Sequence, residues 1–154
     1  QSKLHSNLGA ALQLTGDADG ALASFRLAAE RDPGNRMARA NLASALLRRG
    51  ELDVADEVAR RLLADHPESP EALTTMALVR LARRDPAGAL ALLDRVLATD
   101  PDLGLARYQR GHANLGLGRR EEACRDWREA MSGAGSAPYR FDCARALAQW
   151  CGGS

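Results

Sequence analysis

Three histidines and three cysteines are the side chains of this sequence best suited to nucleophilic, acid–base or metal chemistry. The cysteines are Cys124, Cys143 and Cys151, an odd number with no CxxC pair and no spacing typical of a metal site. Cys143 and Cys151 lie eight residues apart on one expected helix, too far for a disulfide. We therefore predict free thiols that pack as small apolar side chains, which favours a reducing compartment and leans toward the cytoplasm.

No catalytic motif surrounds the histidines. The sequence contains no HExxH, GxSxG, P-loop or GxGxxG pattern. His66 precedes Pro67 and belongs to an expected turn, and His5 and His112 are far from it in the chain. We predict no enzymatic activity, no metal site and no cofactor.

The overall charge and composition exclude several function classes. Lys plus Arg is 21 and Asp plus Glu is 20 in 154 residues, a net charge of +1 that indicates neither nucleic-acid binding nor a basic membrane anchor. Hydrophobic residues are 45% and charged residues 27%, as in folded proteins. No apolar run approaches the roughly 20 residues of a membrane-spanning helix.

The elements that must position these side chains follow a period of 34 residues. Pro33, Pro67 and Pro101 are each 34 residues apart. Three further columns of residues repeat at the same offset. The first is always Ala: Ala21, Ala55, Ala89 and Ala123. The second is always small (Gly9, Ala43, Ala77 and Gly111), and the third is Gly except for one Arg (Gly16, Gly50, Arg84 and Gly118). The period predicts four repeats, 2–35, 36–69, 70–103 and 104–137.

Each repeat is predicted to contain two helices. The first ends at the Gly column, which suits a left-handed C-cap. The second begins with Asp17, Asp53 or Asp85, the last followed by a Pro that the first turn tolerates. The always-small columns allow the two helices to pack closely. After the fourth repeat, apolar residues at helical spacing predict a terminal capping helix over 138–151, with a polar outer face.

The unit resembles the tetratricopeptide repeat, whose pattern is W-x2-L-G-x2-Y, then A-x3-F, then P. The first repeat has Leu8-Gly9, Ala21-x3-Phe25 and Pro33, with His5 where the pattern has Trp. The fourth departs from the pattern at Arg110, where Leu is usual, and at Gly135, where Pro is usual. The resemblance implies an all-α, right-handed superhelical solenoid of four helix-turn-helix repeats plus the capping helix.

The resemblance also implies a concave groove lined by the first helix of each repeat. Carried onto this sequence, it predicts eight contact residues for a protein or peptide ligand: Asn7, Asn41, Ser44, Thr75, Leu78, Tyr108, Gln109 and His112. The polar column Asn7, Asn41, Thr75 and Gln109 could pair with a peptide backbone, or could simply be exposed to solvent. The residues of the chaperone-carboxylate clamp known in this family are missing apart from Asn41.

These expectations give one main functional hypothesis and two alternatives. We expect a non-catalytic scaffold or adaptor that binds a partner segment in the groove. The first alternative is a regulatory or substrate-docking domain of a larger enzyme, whose other part would precede Gln1. The second is self-association through the open N-terminal repeat.

Overall fold

Every regular element in residues 2–133 and 139–152, the part of the chain that the computed structural model describes, is an α-helix. The all-α prediction is confirmed for these residues, while the handedness of a superhelix and the number of repeats stay predictions. The helices are α1 Ser2–Leu14, α2 Ala18–Arg31, α3 Arg36–Arg48, α4 Leu52–Asp65, α5 Pro70–Ala82, α6 Pro86–Thr99, α7 Gly104–Gly116, α8 Arg120–Ser132 and α9 Arg140–Trp150.

The helix starts keep the 34-residue period of the sequence. α1, α3, α5 and α7 begin at residues 2, 36, 70 and 104, and α2, α4, α6 and α8 begin at residues 18, 52, 86 and 120. α9 begins at Arg140; the expected start at Pro138 lies outside the described residues.

The chain divides into two compact units within α5. The N-terminal unit is Gln1–Val79 and the C-terminal unit is Arg80–Ser154. In the N-terminal unit α1 packs on α2, α2 on α3, and α3 on α4. In the C-terminal unit α6 packs on α7, α7 on α8, and α8 on α9.

Polar side chains cap several helix starts. The Asp17 carboxylate accepts a hydrogen bond from the backbone N–H of Gly20 at 2.8 Å, and Asp85 accepts one from Gly88 at 2.9 Å. Asp53 lies inside the first turn of α4, whose N-cap residue Glu51 makes no side-chain cap bond. An acidic side chain in the first turn is favoured by the helix dipole.

The turns between paired helices require a left-handed backbone at one residue. Gly16, Gly50 and Gly118 have φ angles of 84°, 77° and 76°, as the C-cap prediction required. Arg84 occupies the same column with φ 60°, a conformation that a residue with a Cβ adopts at a cost in free energy.

The always-small column is where paired helices approach most closely. A Cβ on Gly9 would lie 2.7 Å from Cε1 of Phe25, so α1 and α2 leave no room for a side chain there. A Cβ on Gly111 would overlap the Trp127 indole in the same way between α7 and α8. The small residues therefore set the distance between helices, and one large ring fills the remaining space.

Replacing Arg84 by Gly tests the backbone cost in that turn. We expect Arg84→Gly to raise the free energy of unfolding by about 0.5–1 kcal/mol, because relief of the left-handed strain exceeds the greater freedom of Gly in the unfolded chain. Urea unfolding followed by circular dichroism measures it. The control is Gly118→Ala, where a Cβ would meet nothing within 4 Å, so that its expected loss comes from the backbone alone. A destabilised Arg84→Gly beside a neutral Gly118→Ala would refute this account.

Candidate partner-binding surfaces

The predicted contacts of the N-terminal unit differ in how accessible they are. Asn7 is exposed on α1, and Asn41 and Ser44 are half-buried one turn apart on α3. Thr75 is buried, and its hydroxyl donates a hydrogen bond to the backbone carbonyl of Glu71 at 2.6 Å. Leu78 is half-buried further along α5. Asn41 and Ser44 thus share an accessible polar face, while Thr75 already uses its donor within its own helix.

Two of the predicted contacts of the C-terminal unit, Tyr108 and His112, belong to a cluster of rings. We call it the aromatic cluster, and its members are Tyr108, His112, Trp127 and Tyr139. The edge of one ring meets the face of the other between Tyr108 and His112, at 4.8 Å between centres, and between His112 and Trp127 at 5.2 Å. Tyr139, just before α9, stacks on Tyr108 at 5.9 Å. The Trp127 indole N–H donates to the backbone carbonyl of Tyr108 at 3.2 Å, which ties α8 to α7.

Burial controls the protonation of this cluster. It lowers the pKa of His112, and the nearby Asp142 carboxylate opposes the shift. Burial also raises the pKa of Tyr108, as Asp142 does, while Arg145 acts in the other direction. At neutral pH His112 is therefore an uncharged imidazole with one donor and one acceptor nitrogen, and Tyr108 keeps its hydroxyl proton.

α9 adds three side chains that the sequence analysis did not select. Phe141 is 76% exposed, and the Arg145 guanidinium lies 5.9 Å from the centre of its ring. The same guanidinium donates a hydrogen bond to Asp142 at 2.8 Å. The outer face of α9 was expected to be polar, but it presents a large ring. The i, i+4 spacing of Phe141 and Arg145, opposite the buried Cys143, could have indicated this face.

The polar column is not uniformly available to a ligand. Asn7 is exposed and Asn41 half-buried, whereas Thr75 and Gln109 are buried. Gln109 is 6% exposed, and its side-chain carbonyl oxygen has no hydrogen-bond partner. Its burial makes Gln109 an interior residue rather than a solvated one. A buried acceptor without a donor is unfavourable.

The departure from the repeat pattern at Arg110 has a structural reason. Its guanidinium donates to the carboxylate of Asp126 at 2.7 and 3.1 Å and to Asp94 at 3.1 Å. The side-chain amide of Asn114 donates to Oδ2 of the same carboxylate at 2.9 Å. Asp126 is 3% exposed, so these bonds compensate a buried charge between α7 and α8. The hydrogen bond to Asp126 raises the pKa of Arg110 against the effect of its burial.

The prediction of three free thiols is wrong for two of them. Cys124 and Cys151 form a disulfide with their Cα atoms 6.0 Å apart. Cys143 and Cys151 are too far apart on α9 to bond to each other, but α9 packs on α8 so that its C-terminal end meets the first turns of α8. Arg120 donates to the carbonyl of Trp150 at the same place. Cys143 is free and buried, as predicted.

The expectation of a reducing compartment rested on three free thiols and loses that support.

In the described part of the chain, no helix has the length and apolar character needed to cross a bilayer. Nor do those residues bring together three or more His, Cys, Asp or Glu side chains that could hold a metal ion.

Comparison with known proteins gives a consistent family. Two models described as tetratricopeptide repeat match residues 12–79 and 74–136. A thermophilic tetratricopeptide-repeat protein of Thermus thermophilus, TTC0263, superposes with a TM-score of 0.80 at 23% identity, covering 97% of this chain and 91% of that one. A MamA structure superposes with a TM-score of 0.61 at 19% identity, covering 92% and 76%. At these identities the two structures show the fold alone. A search of curated protein sequences finds no match.

Removing the buried carboxylate tests the polar network. We expect Asp126→Ala to lower the free energy of unfolding by about 2–4 kcal/mol, because Arg110 and Asn114 lose their buried acceptor. The matched control is Asp94→Ala, which removes a more exposed carboxylate from the same guanidinium and should cost less than about 1 kcal/mol. Denaturant unfolding measures both variants. Equal losses would show that the burial of Asp126 and its bond from Asn114 add nothing to the free energy of unfolding.

Proposed function

Because the chain belongs to the tetratricopeptide-repeat family, we propose that it is a non-catalytic scaffold that binds a peptide or a segment of a partner protein. The binding surface in this proposal is formed by the first helices of the repeats, on the residues that the family groove predicts. Proteins with this fold generally serve protein interaction, and the proposal adds the surface and the residues.

One observation carries the proposal furthest, the half-buried pair of Tyr108 and His112 on α7. The pair offers apolar ring surface together with a phenol hydroxyl and a neutral imidazole. Exposed Leu105 lies one turn before Tyr108, and Phe141 adds an exposed ring on α9. Aromatic side chains that are partly buried and backed by a rigid core are typical anchors of protein interfaces.

The N-terminal unit contributes a different chemistry. Asn41 and Ser44 present an amide and a hydroxyl from one face of α3, and Asn7 presents an amide on α1. Such groups donate and accept hydrogen bonds and suit the backbone of an extended peptide. Thr75, Leu78 and Gln109 remain members of the proposed set, with Thr75 and Gln109 supporting the surface from a buried position.

A second candidate, self-association, is favoured by the exposed apolar face of α1. Leu4 and Leu8 are 68% and 48% exposed. The residues 34 positions later, Ala38 and Leu42 on α3, are buried where α2 packs on α3. The corresponding face of α1 therefore displays apolar surface that a neighbouring molecule could cover.

The binding proposal is tested with one variant from each unit. We expect Asn41→Ala combined with His112→Ala to lose most of the proteins that the unaltered chain retains in a pull-down from the source organism, quantified by mass spectrometry. Neither side chain is fully buried, so the melting temperature should change by no more than about 2–4 °C, which corresponds to roughly 1 kcal/mol.

The matched control is Glu57→Ala with Arg61→Ala, an exposed ion pair on α4, which should retain those proteins. If the surface variant and the control retain the same partners, the proposed surface is not the binding site. Light scattering on the same samples at two concentrations tests the second candidate, self-association, separately from partner binding. A monomer at both concentrations excludes self-association.

A further inference from the structure

The C-terminal helix α9 is held to the rest of its unit by few side chains. It has 11 residues, and isolated helices of fewer than about 12–15 residues are marginal in water. Its buried residues are Cys143 and Ala146; half-buried Leu147 packs against the same core, and Tyr139 precedes the helix. Contacts beyond the helix itself therefore add to its retention on α8.

The disulfide supplies such a contact at the far end of α9. Tyr139 secures the start of the helix by stacking on Tyr108. Cys151 follows the last residue of the helix and is bonded to Cys124 near the start of α8, 27 residues earlier in the chain. A cross-link over such a separation removes conformational freedom from the released state and so favours the docked one.

We propose that the Cys124–Cys151 disulfide is a redox clasp. In the oxidised chain it keeps α9 docked on α8, and its reduction by a dithiol releases α9 while the rest of the C-terminal unit stays folded. The device makes the exposure of the aromatic cluster depend on the redox state of the surroundings.

The exchange is balanced by one equivalent of a dithiol. A reductant thiolate attacks the sulfur of Cys151, which is half-buried, while Cys124 is 6% exposed. The bond between the two cysteine sulfurs breaks, a mixed disulfide forms on Cys151, and Cys124 leaves as a thiolate that takes up a proton. The second thiol of the reductant then displaces Cys151 as its thiolate, so that the reductant becomes a disulfide and the protein gains two thiols.

The third cysteine does not compete in this exchange. Cys143 is fully buried within α9, and burial raises its pKa to about 11. At neutral pH it is a protonated thiol, which is neither nucleophilic nor accessible to a reductant. While α9 is docked, Cys143 therefore takes no part in the attack on the disulfide.

Release of α9 changes two surfaces. It uncovers Tyr108, which Tyr139 stacks on, and it removes the charges of Asp142 and Arg145 from the neighbourhood of Tyr108. The release itself is independent of the proposed function; the consequence that partner binding responds to reduction rests on that function.

Hydrogen exchange with mass spectrometry tests the clasp on the intact chain. Titration with dithiothreitol, with thiols counted in denaturant, should raise the number of free thiols from one to three. Amide protection of 140–150 should then fall by roughly tenfold or more, while protection of α7 and α8 changes by less than about threefold. Reoxidation with oxidised glutathione should restore it. The Cys151→Ser variant should resemble the reduced chain, and the control Cys143→Ala, which keeps the buried site apolar, should keep the response to dithiothreitol.

Three outcomes would overturn the clasp. Three thiols in the unreduced chain would show that no disulfide holds α9. Full reduction with unchanged protection of 140–150 would show that side-chain packing alone retains the helix. Loss of protection throughout α7 and α8 would show that the disulfide stabilises the whole C-terminal unit rather than α9 alone. Partner binding unaffected by release of α9 would leave the clasp intact and count against α9 as part of the binding surface.

Discussion

The distance between paired helices is fixed where a glycine on one helix faces a large ring on the next. Gly9 against Phe25 and Gly111 against Trp127 leave no space for a Cβ, so α1 and α2, and α7 and α8, pack closely at these positions. Other features follow from this contact. The helices that are brought together need a tight left-handed turn between them, which Gly16, Gly50, Arg84 and Gly118 provide.

In the C-terminal unit the same contact leads to the candidate binding surface. Trp127 fills the space over Gly111, donates to the carbonyl of Tyr108 and meets the ring of His112. The half-buried pair of Tyr108 and His112 therefore stands on a rigid base, and α9 exposes the Phe141 ring. The disulfide between Cys124 and Cys151 lies at the other end of α9. The proposed binding surface and the proposed redox clasp therefore both involve this helix.

The local features were predictable from the sequence because they depend on residues near in the chain. The 34-residue period gave the helix starts, the Gly column gave the left-handed turns, and Asp17 and Asp85 gave caps. Features that depend on side chains meeting across helices were missed. Arg110 departs from the repeat pattern because it pairs with Asp126 on the next helix, and the pairing of Cys124 with Cys151 depends on how α9 lies on α8. The burial of Thr75 and Gln109 likewise could not be read from a polar column alone.

A double-mutant cycle between Gly111 and Trp127 tests the central contact most directly. Gly111→Ala should destabilise the otherwise unaltered chain by about 1–3 kcal/mol, because the indole must move. In the Trp127→Leu background the same change should be neutral or stabilising, since Ala is the better helix former once the ring is gone. Urea unfolding of the four proteins gives the coupling free energy. A Gly111→Ala effect that is the same in both backgrounds, within about 0.5 kcal/mol, would contradict the account.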